Sequence, residues 1–312
     1  MLDAMSSVLL CTEDAVMRFD GDDNRGPRTE LDGRRVRSLA RHGDEWWAIA
    51  DRRTVVRRDA DGTWHDEAET DESALTCLLP APDGAHVGTG DARLLRLFRG
   101  AFAPVGGFDD VPGRDTWHAV GSSVPYVRSM TATRLGVLMA SVHVGGIPRS
   151  ANNGTTWKPT IDVDDDVHEV RAHPSDPKIV MAAAAVGLAE SADAGETWSV
   201  RTDGLHATYL RAVAFTRDAV LVSASNGPRG DQSAIYRRSM SGGSLERCQR
   251  GLPEWLAGNV DTGCLDAAAS LGNELAVFAD ADGTVYESSD GGVTWTVLAS
   301  DLGNISAVGV RV

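Results

Sequence analysis

The chain has 312 residues, 42% hydrophobic and 24% charged, enough for a sizeable core in one large all-β domain or two ordinary domains. Its 45 acidic residues outnumber 30 basic ones, and the formal net charge of -15 argues against nucleic acid and against an anionic membrane surface as partners. No apolar run approaches the roughly 18 residues of a membrane helix. The N-terminal MLDAMSSVLLCTEDAV carries acids where a signal peptide has a basic region, so a soluble cytoplasmic protein is expected. Cys11, Cys77, Cys248 and Cys264 are scattered, with no CxxC pair, and read as buried thiols.

Taken in chain order, the predicted elements are short strands in a repeating set. SSVLLCTE (6–13) has the character of a second strand with no innermost strand before it, and AVMRF (15–19) follows. The next period holds four strands: VRSLARH (36–42), EWWAIA (45–50), TVVRR (54–58) and GTWHDEA (62–68). LLRLF (94–98) marks the third period, and GIPRS (146–150) the fourth. The fifth repeats the full set in VHEVRAH (167–173), KIVMAAAA (178–185), GLAES (187–191) and TWSVR (197–201). AIYRR (234–238) and TVYES (284–288) mark the last two. These marker strands begin near 15, 54, 94, 146, 187, 234 and 284, in steps of 39 to 52 residues. A helical solenoid has a similar period, but the segments are short, β-branched and broken by Gly, with no 3.6-residue stripe.

Four antiparallel strands per period describe a propeller blade. ISAVGVRV (305–312) is an innermost-type strand left over at the far end of the chain. It should complete the first blade and remove the free sheet edge. The expected fold is therefore all-β: residues 1–312 as a single seven-bladed β-propeller of four-stranded antiparallel blades, closed by the C-terminal strand.

Three segments share the pattern Ser-x-Asp/Asn-x-Gly-x-Thr-Trp: Ser150, Asn152, Gly154 and Trp157; Ser191, Asp193, Gly195 and Trp198; Ser288, Asp290, Gly292 and Trp295. Each sits between two strand-like stretches, as a hairpin turn should. The Asp or Asn side chain can bond turn amides, and Gly supplies a positive φ. A weaker copy keeps Gly62, Thr63 and Trp64. This pattern resembles the Asp box, or BNR repeat, of sialidases, sortilin-type receptors, xyloglucanase-like glycosidases and photosystem II stability-factor-like propellers. The resemblance implies a propeller and leaves the activity open. A sialidase would bring an arginine triad, a Tyr nucleophile with a Glu partner, and an Asp acid. The candidate nucleophiles are Tyr126, Tyr209, Tyr236 and Tyr286, but no early Arg-Ile-Pro motif accompanies them. Xyloglucanase-like enzymes carry two propellers, which also departs from this chain.

The segments leading into blades four to seven concentrate polar residues. The long stretch 111–130 carries Trp117, His118, Tyr126 and Arg128, and His143 lies in the next turn. Asp166, His168 and Glu169 precede blade five; His206, Tyr209 and Arg211 precede blade six; Asn259 and Asp261 precede blade seven. A lopsided polar concentration is the default pointer to a binding site, expected at the channel mouth. Two functions fit it. In the first, a monomeric propeller binds a small polar ligand, such as a carbohydrate, or a protein partner. Trp117 or Tyr126 would stack on it, and Arg128 or Arg211 would pair with an acidic group. In the second, a glycoside hydrolase-like or lyase-like enzyme uses Asp166, Glu169 and Asp261 as acid and base. The cofactor these residue types would suit is a divalent metal held by His143, His168 and His206.

Overall fold

Runs such as TVVRR and KIVMAAAA, β-branched or apolar and cut at short intervals by Gly and Asp, favour strands over helices. The computed structural model describes residues 6–21 and 26–312. Residues 1–5, the start of the stretch read above for targeting, and residues 22–25 lie outside the described residues. Among the described residues every sheet is four-stranded and antiparallel, and there are seven of them. The protein is a seven-bladed β-propeller.

Blade 1 combines Ala307–Arg311 with Ser7–Cys11, Val16–Asp20 and Arg28–Glu30. The closing pair runs from Ser7 opposite Arg311 to Cys11 opposite Ala307. Blade 2 is Val36–His42, Glu45–Ala50, Thr54–Arg58 and Trp64–Glu69, and blade 3 is Leu75–Ala81, Gly84–Thr89, Leu94–Phe98 and Ala101–Pro104. Blade 4 is Val127–Ala132, Leu138–Val142, Pro148–Ser150 and Lys158–Pro159. Blade 5 is Val167–Ala172, Val180–Ala184, Gly187–Ser191 and Ser199–Arg201. Blade 6 is Tyr209–Phe215, Ala219–Ser225, Ala234–Ser239 and Glu246–Arg247, and blade 7 is Leu265–Ala269, Glu274–Ala279, Val285–Ser288 and Thr296–Ala299.

The chain divides into two compact units. One, residues 37–200, carries blades 2 to 5; the other, residues 1–36 with 201–312, carries blades 1, 6 and 7. Within each unit the second strands are covered on both faces and read as continuous apolar runs, so Leu138–Val142, Val180–Ala184 and Ala219–Ser225 are buried throughout. Outermost strands face water, as Ser199–Arg201 does. The apolar clusters lie between neighbouring blades: Leu94, Val127, Leu138 and Trp157 join blades 3 and 4, and Leu265, Phe278, Ile235 and Leu221 join blades 6 and 7. All four cysteines are buried, and burial pushes the Cys11 and Cys77 thiols up to about 12.

Polar links tie one blade to the next. Ser38 Oγ accepts from the Leu78 amide at 3.2 Å, Ser129 Oγ from Val170 at 2.9 Å, and Thr131 Oγ1 from Ala172 at 2.9 Å. Asp266 does the same for the Val310 amide at 2.9 Å.

The three patterned turns share one hydrogen-bond scheme. Asp290 Oδ1 accepts from the Val293 and Thr294 amides at 3.0 and 2.9 Å, while Ser288 Oγ donates to it at 2.8 Å and accepts from the Gly292 amide at 2.9 Å. Asn152 and Asp193 repeat the bond to the amides of Thr156 and Thr197, both at 2.9 Å. Gly154, Gly195 and Gly292 have φ of 82°, 79° and 85°, the left-handed region that the turn requires. Trp157 and Trp295 fold back to donate to the carbonyls of Gly154 and Gly292 at 2.9 and 3.1 Å. Trp198 donates instead to Thr160 Oγ1 at 3.1 Å.

Candidate functional site

Innermost strands are irregular where they begin. The register slips between Val127 and Ser129 in blade 4, between Val167 and Glu169 in blade 5, and between Leu210 and Val213 in blade 6. A β-bulge bends the strand and re-aims a side chain. The residues so released are Arg128, His168 and Arg211, all among the sequence candidates. Serine hydroxyls from the second strand take up the disturbed amides: Ser141 serves Ser129 at 3.2 Å, and Ser223 serves Arg211 and Ala212 at 3.3 and 3.0 Å.

In the unit 37–200 the candidates gather around one carboxylate. Asp166 follows a single 3-10 turn, Val163–Asp165, and caps it with φ of 44°. Its Oδ1 lies 3.5 Å from Arg128 Nη1 and 3.7 Å from His143 Nε2, and its Oδ2 lies 3.3 Å from His168 Nε2. The Tyr126 ring meets His143 edge-on at 4.9 Å, and the Arg128 guanidinium sits 5.7 Å from the Tyr126 centroid. His168 is fully buried, while Asp166 keeps 15% of its side chain exposed. Burial raises the Asp166 carboxyl, but the approach of His168, with Arg128 and His143 behind it, outweighs burial and holds the group down at about 2. Asp166 is thus a permanent acceptor at neutral pH. Its contacts are longer than the roughly 2.7–2.9 Å of a closed charge-assisted bond.

Glu169, a second candidate acid, is buried and bound to Arg171 at 2.9 and 3.0 Å. The third, Asp261, belongs to the other unit. It accepts from Arg211 Nη1 at 2.7 Å and from the Thr262 amide at 3.0 Å. Arg211 also donates to Tyr209 Oη at 3.2 Å and lies 5.4 Å from that ring. Tyr-Val-Arg at 126–128 and Tyr-Leu-Arg at 209–211 therefore form the same Tyr–Arg stack, each aimed at an Asp that leads into the following blade.

Several other candidates have partners within the fold. Trp117 does not stand open for stacking. It is buried beside Phe108 at 5.8 Å, under the Arg114 guanidinium at 4.9 Å, and pins the long 111–130 segment to the core. His118 is exposed and turns back to the Thr116 carbonyl at 3.3 Å. Asn259 braces the blade-6 turn through Ser225 at 2.6 Å and the carbonyls of Gly227 and Pro228 at 3.3 and 3.2 Å. His206 binds Tyr236 Oη through Nδ1 at 2.8 Å and the Gln232 carbonyl through Nε2 at 2.9 Å, so neither ring nitrogen is left to ligate a metal. No group of three or more His, Cys, Asp or Glu among the described residues is arranged to hold a metal ion. Of the three histidines expected to share a metal, His143 and His168 lie in one unit and His206 in the other. No helix among the described residues is long and apolar enough to cross a membrane.

No protein-family model matches the chain, and no curated protein matches it. Solved structures do resemble it. An ancestral GH74 enzyme superposes with a TM-score of 0.63 at 13% identity, over 88% of this chain and 38% of its own. The GH74 xyloglucanase from Xanthomonas campestris gives 0.60 at 17% identity, over 85% and 45%. YCF48 bound to D1 peptide gives 0.54 at 17% identity, over 78% and 79%. The chain spans less than half the length of either GH74 enzyme. At these identities the likeness is one of fold: the class of protein is the seven-bladed β-propeller, with GH74 enzymes and a peptide-bound YCF48 among its structural neighbours.

Proposed function

We propose that this propeller is a binding protein of the Asp-box type, and that its binding site is the Asp166 cluster of blades 4 and 5. The observation that carries this reading is the pairing of every candidate acid. Asp166 is held by Arg128 and two histidines, Glu169 by Arg171, and Asp261 by Arg211. Acid–base hydrolysis of a glycoside needs one carboxyl that keeps its proton near neutral pH. Asp166, held down at about 2, is suited to accept hydrogen bonds and not to give a proton. The 15% of the Asp166 side chain that stays exposed is where a donor of the ligand would reach it.

Arg128 and Asp166 together offer a cation and an anion side by side, with the Tyr126 ring as a flat wall. A peptide backbone supplies the matching acceptor and donor, and a YCF48 propeller of the same fold has been captured with a peptide. Glycoside hydrolase-like action is the second reading, favoured by the GH74 likeness. Calorimetric titration with a library of short peptides, beside turnover assays on xyloglucan oligosaccharides, separates the two. Peptide binding lost in Asp166→Asn and kept in Asp261→Asn is the expected result. Release of reducing sugar by the parent and not by Asp166→Asn would overturn it.

A further inference from the structure

Two blade junctions are fastened by the same clamp. In blade 4, Arg149 pairs across the sheet with Met139. Arg149 Nε donates to the Ala194 carbonyl at 2.8 Å, and the Met139 thioether packs so tightly on Gly195 that a Cβ there would collide with it. In blade 6, Arg237 pairs with Leu221; its Nε donates to the Gly291 carbonyl at 2.8 Å, and Leu221 packs on Gly292. Each clamp therefore joins a third-strand arginine to the carbonyl just before the turn glycine of the next blade.

Blade 3 has the same pair in the same register, Arg96 opposite His86, facing the turn of blade 4. There the clamp is not made. Arg96 Nη1 donates to its neighbour's carbonyl, Leu97 O, at 3.2 Å, and Nη2 pairs with the exposed Asp83. An open pocket of about 400 Å³ stands in its place, lined by His86, Arg96, Val105, Gly107, Asn153 and Thr155. That volume lies within the range of small-molecule sites, roughly 300–1,000 Å³. His86 is only 6% exposed, and its Nδ1 is buried with no hydrogen-bond partner among the described residues. A buried polar atom of this kind asks for an explanation.

The charges decide what fits. Burial first, and Arg96 second, bring the His86 imidazole down to about 4, so it is neutral at pH 7. Arg96 is already balanced by Asp83. A neutral pocket gives little reward to an anion. What the missing clamp leaves is a guanidinium that donates and, at Asn153, the turn carbonyl that accepts in the other two junctions. A group bridging them must accept from one and donate to the other, and a hydroxyl does both. We propose that this pocket is a subsite for a neutral, hydroxyl-rich ligand about one sugar unit in size, bridging Arg96 and the Asn153 carbonyl. It stands independently of the Asp166 reading.

The test is a ¹H–¹⁵N NMR titration with the methyl glycosides of glucose, galactose and xylose, with acetate and acetamide as counter-probes. Saturable shifts at Gly107 and Asn153–Thr155 are expected from a glycoside. His86→Met, which copies the side chain of blade 4, should fold with an equal or higher Tm and bind the glycoside about tenfold more weakly or worse. Arg96→Gln should show the same loss and serves if His86→Met does not fold. No shift from any glycoside, a preference for acetate or acetamide, or undiminished glycoside binding in these variants would each overturn the proposal.

Discussion

The chain presents the same three side chains twice, and only one copy is closed. Around Asp261, Arg211 reaches the carboxylate at 2.7 Å and Tyr209 at 3.2 Å, and the acid itself is 53% exposed. Around Asp166, Arg128 stops at 3.5 Å, two histidines flank the acid, and only 15% of it meets water. The first arrangement is a surface ion pair laid over a tyrosine. The second is a buried anion shared among three partners, none of them at full bonding distance. Burial, and not residue type, separates the two clusters.

The widest gap between the two should appear on removing the arginines. Arg128→Met strands a largely buried carboxylate, for which a loss of about 3 kcal/mol in urea unfolding is expected. Arg211→Met leaves its acid free to turn to water, and the loss should stay near about 1 kcal/mol. Equal losses would show that the two clusters are equally tight. The acid side of the stability curve gives a smaller effect. Asp166 has a depressed pKa in the fold, so its contribution is present above its ordinary value of 3.8 and is lost as pH falls towards about 2. That is about 2 kcal/mol over this window. Asp166→Asn should flatten the curve of unfolding free energy against pH between about 4 and 2, and an unchanged slope would remove the histidine and arginine environment as its cause. The smallest effect is expected at Asp261→Asn, within about 0.5 kcal/mol of the parent by the same urea measurement.

Much of the fold is legible in the amino-acid sequence. Repeated turns fix where hairpins fall, and apolar second strands such as KIVMAAAA announce burial on both faces, so the blade count and the closing strand follow. Strand limits differ by a residue or two, as for Val180–Ala184 within the expected 178–185. The site is legible by residue type but not by direction. A period of two assigns faces only in a regular strand, and the bulges at Arg128, His168 and Arg211 break that rule. His206 and Asn259 look as polar as any ligand-binding residue, yet partners distant in sequence absorb them, and Trp117 is covered by Phe108 and Arg114 of its own segment. His86 and Arg96 look like plain strand residues. Only the alignment of the third strands on Arg149 and Arg237 exposes a histidine where blades 4 and 6 place Met139 and Leu221.

The sheet that closes the ring also bears on the order of assembly. Ser7–Cys11 can pair with Ala307–Arg311 only after about three hundred further residues have been made. At roughly 5–20 residues per second, that first strand waits about 15–60 s on the ribosome with one edge unpaired. Five residues that are buried in the finished protein are therefore a nascent chain's sticky flank, and the interval before the final strand arrives is when a chaperone would matter most.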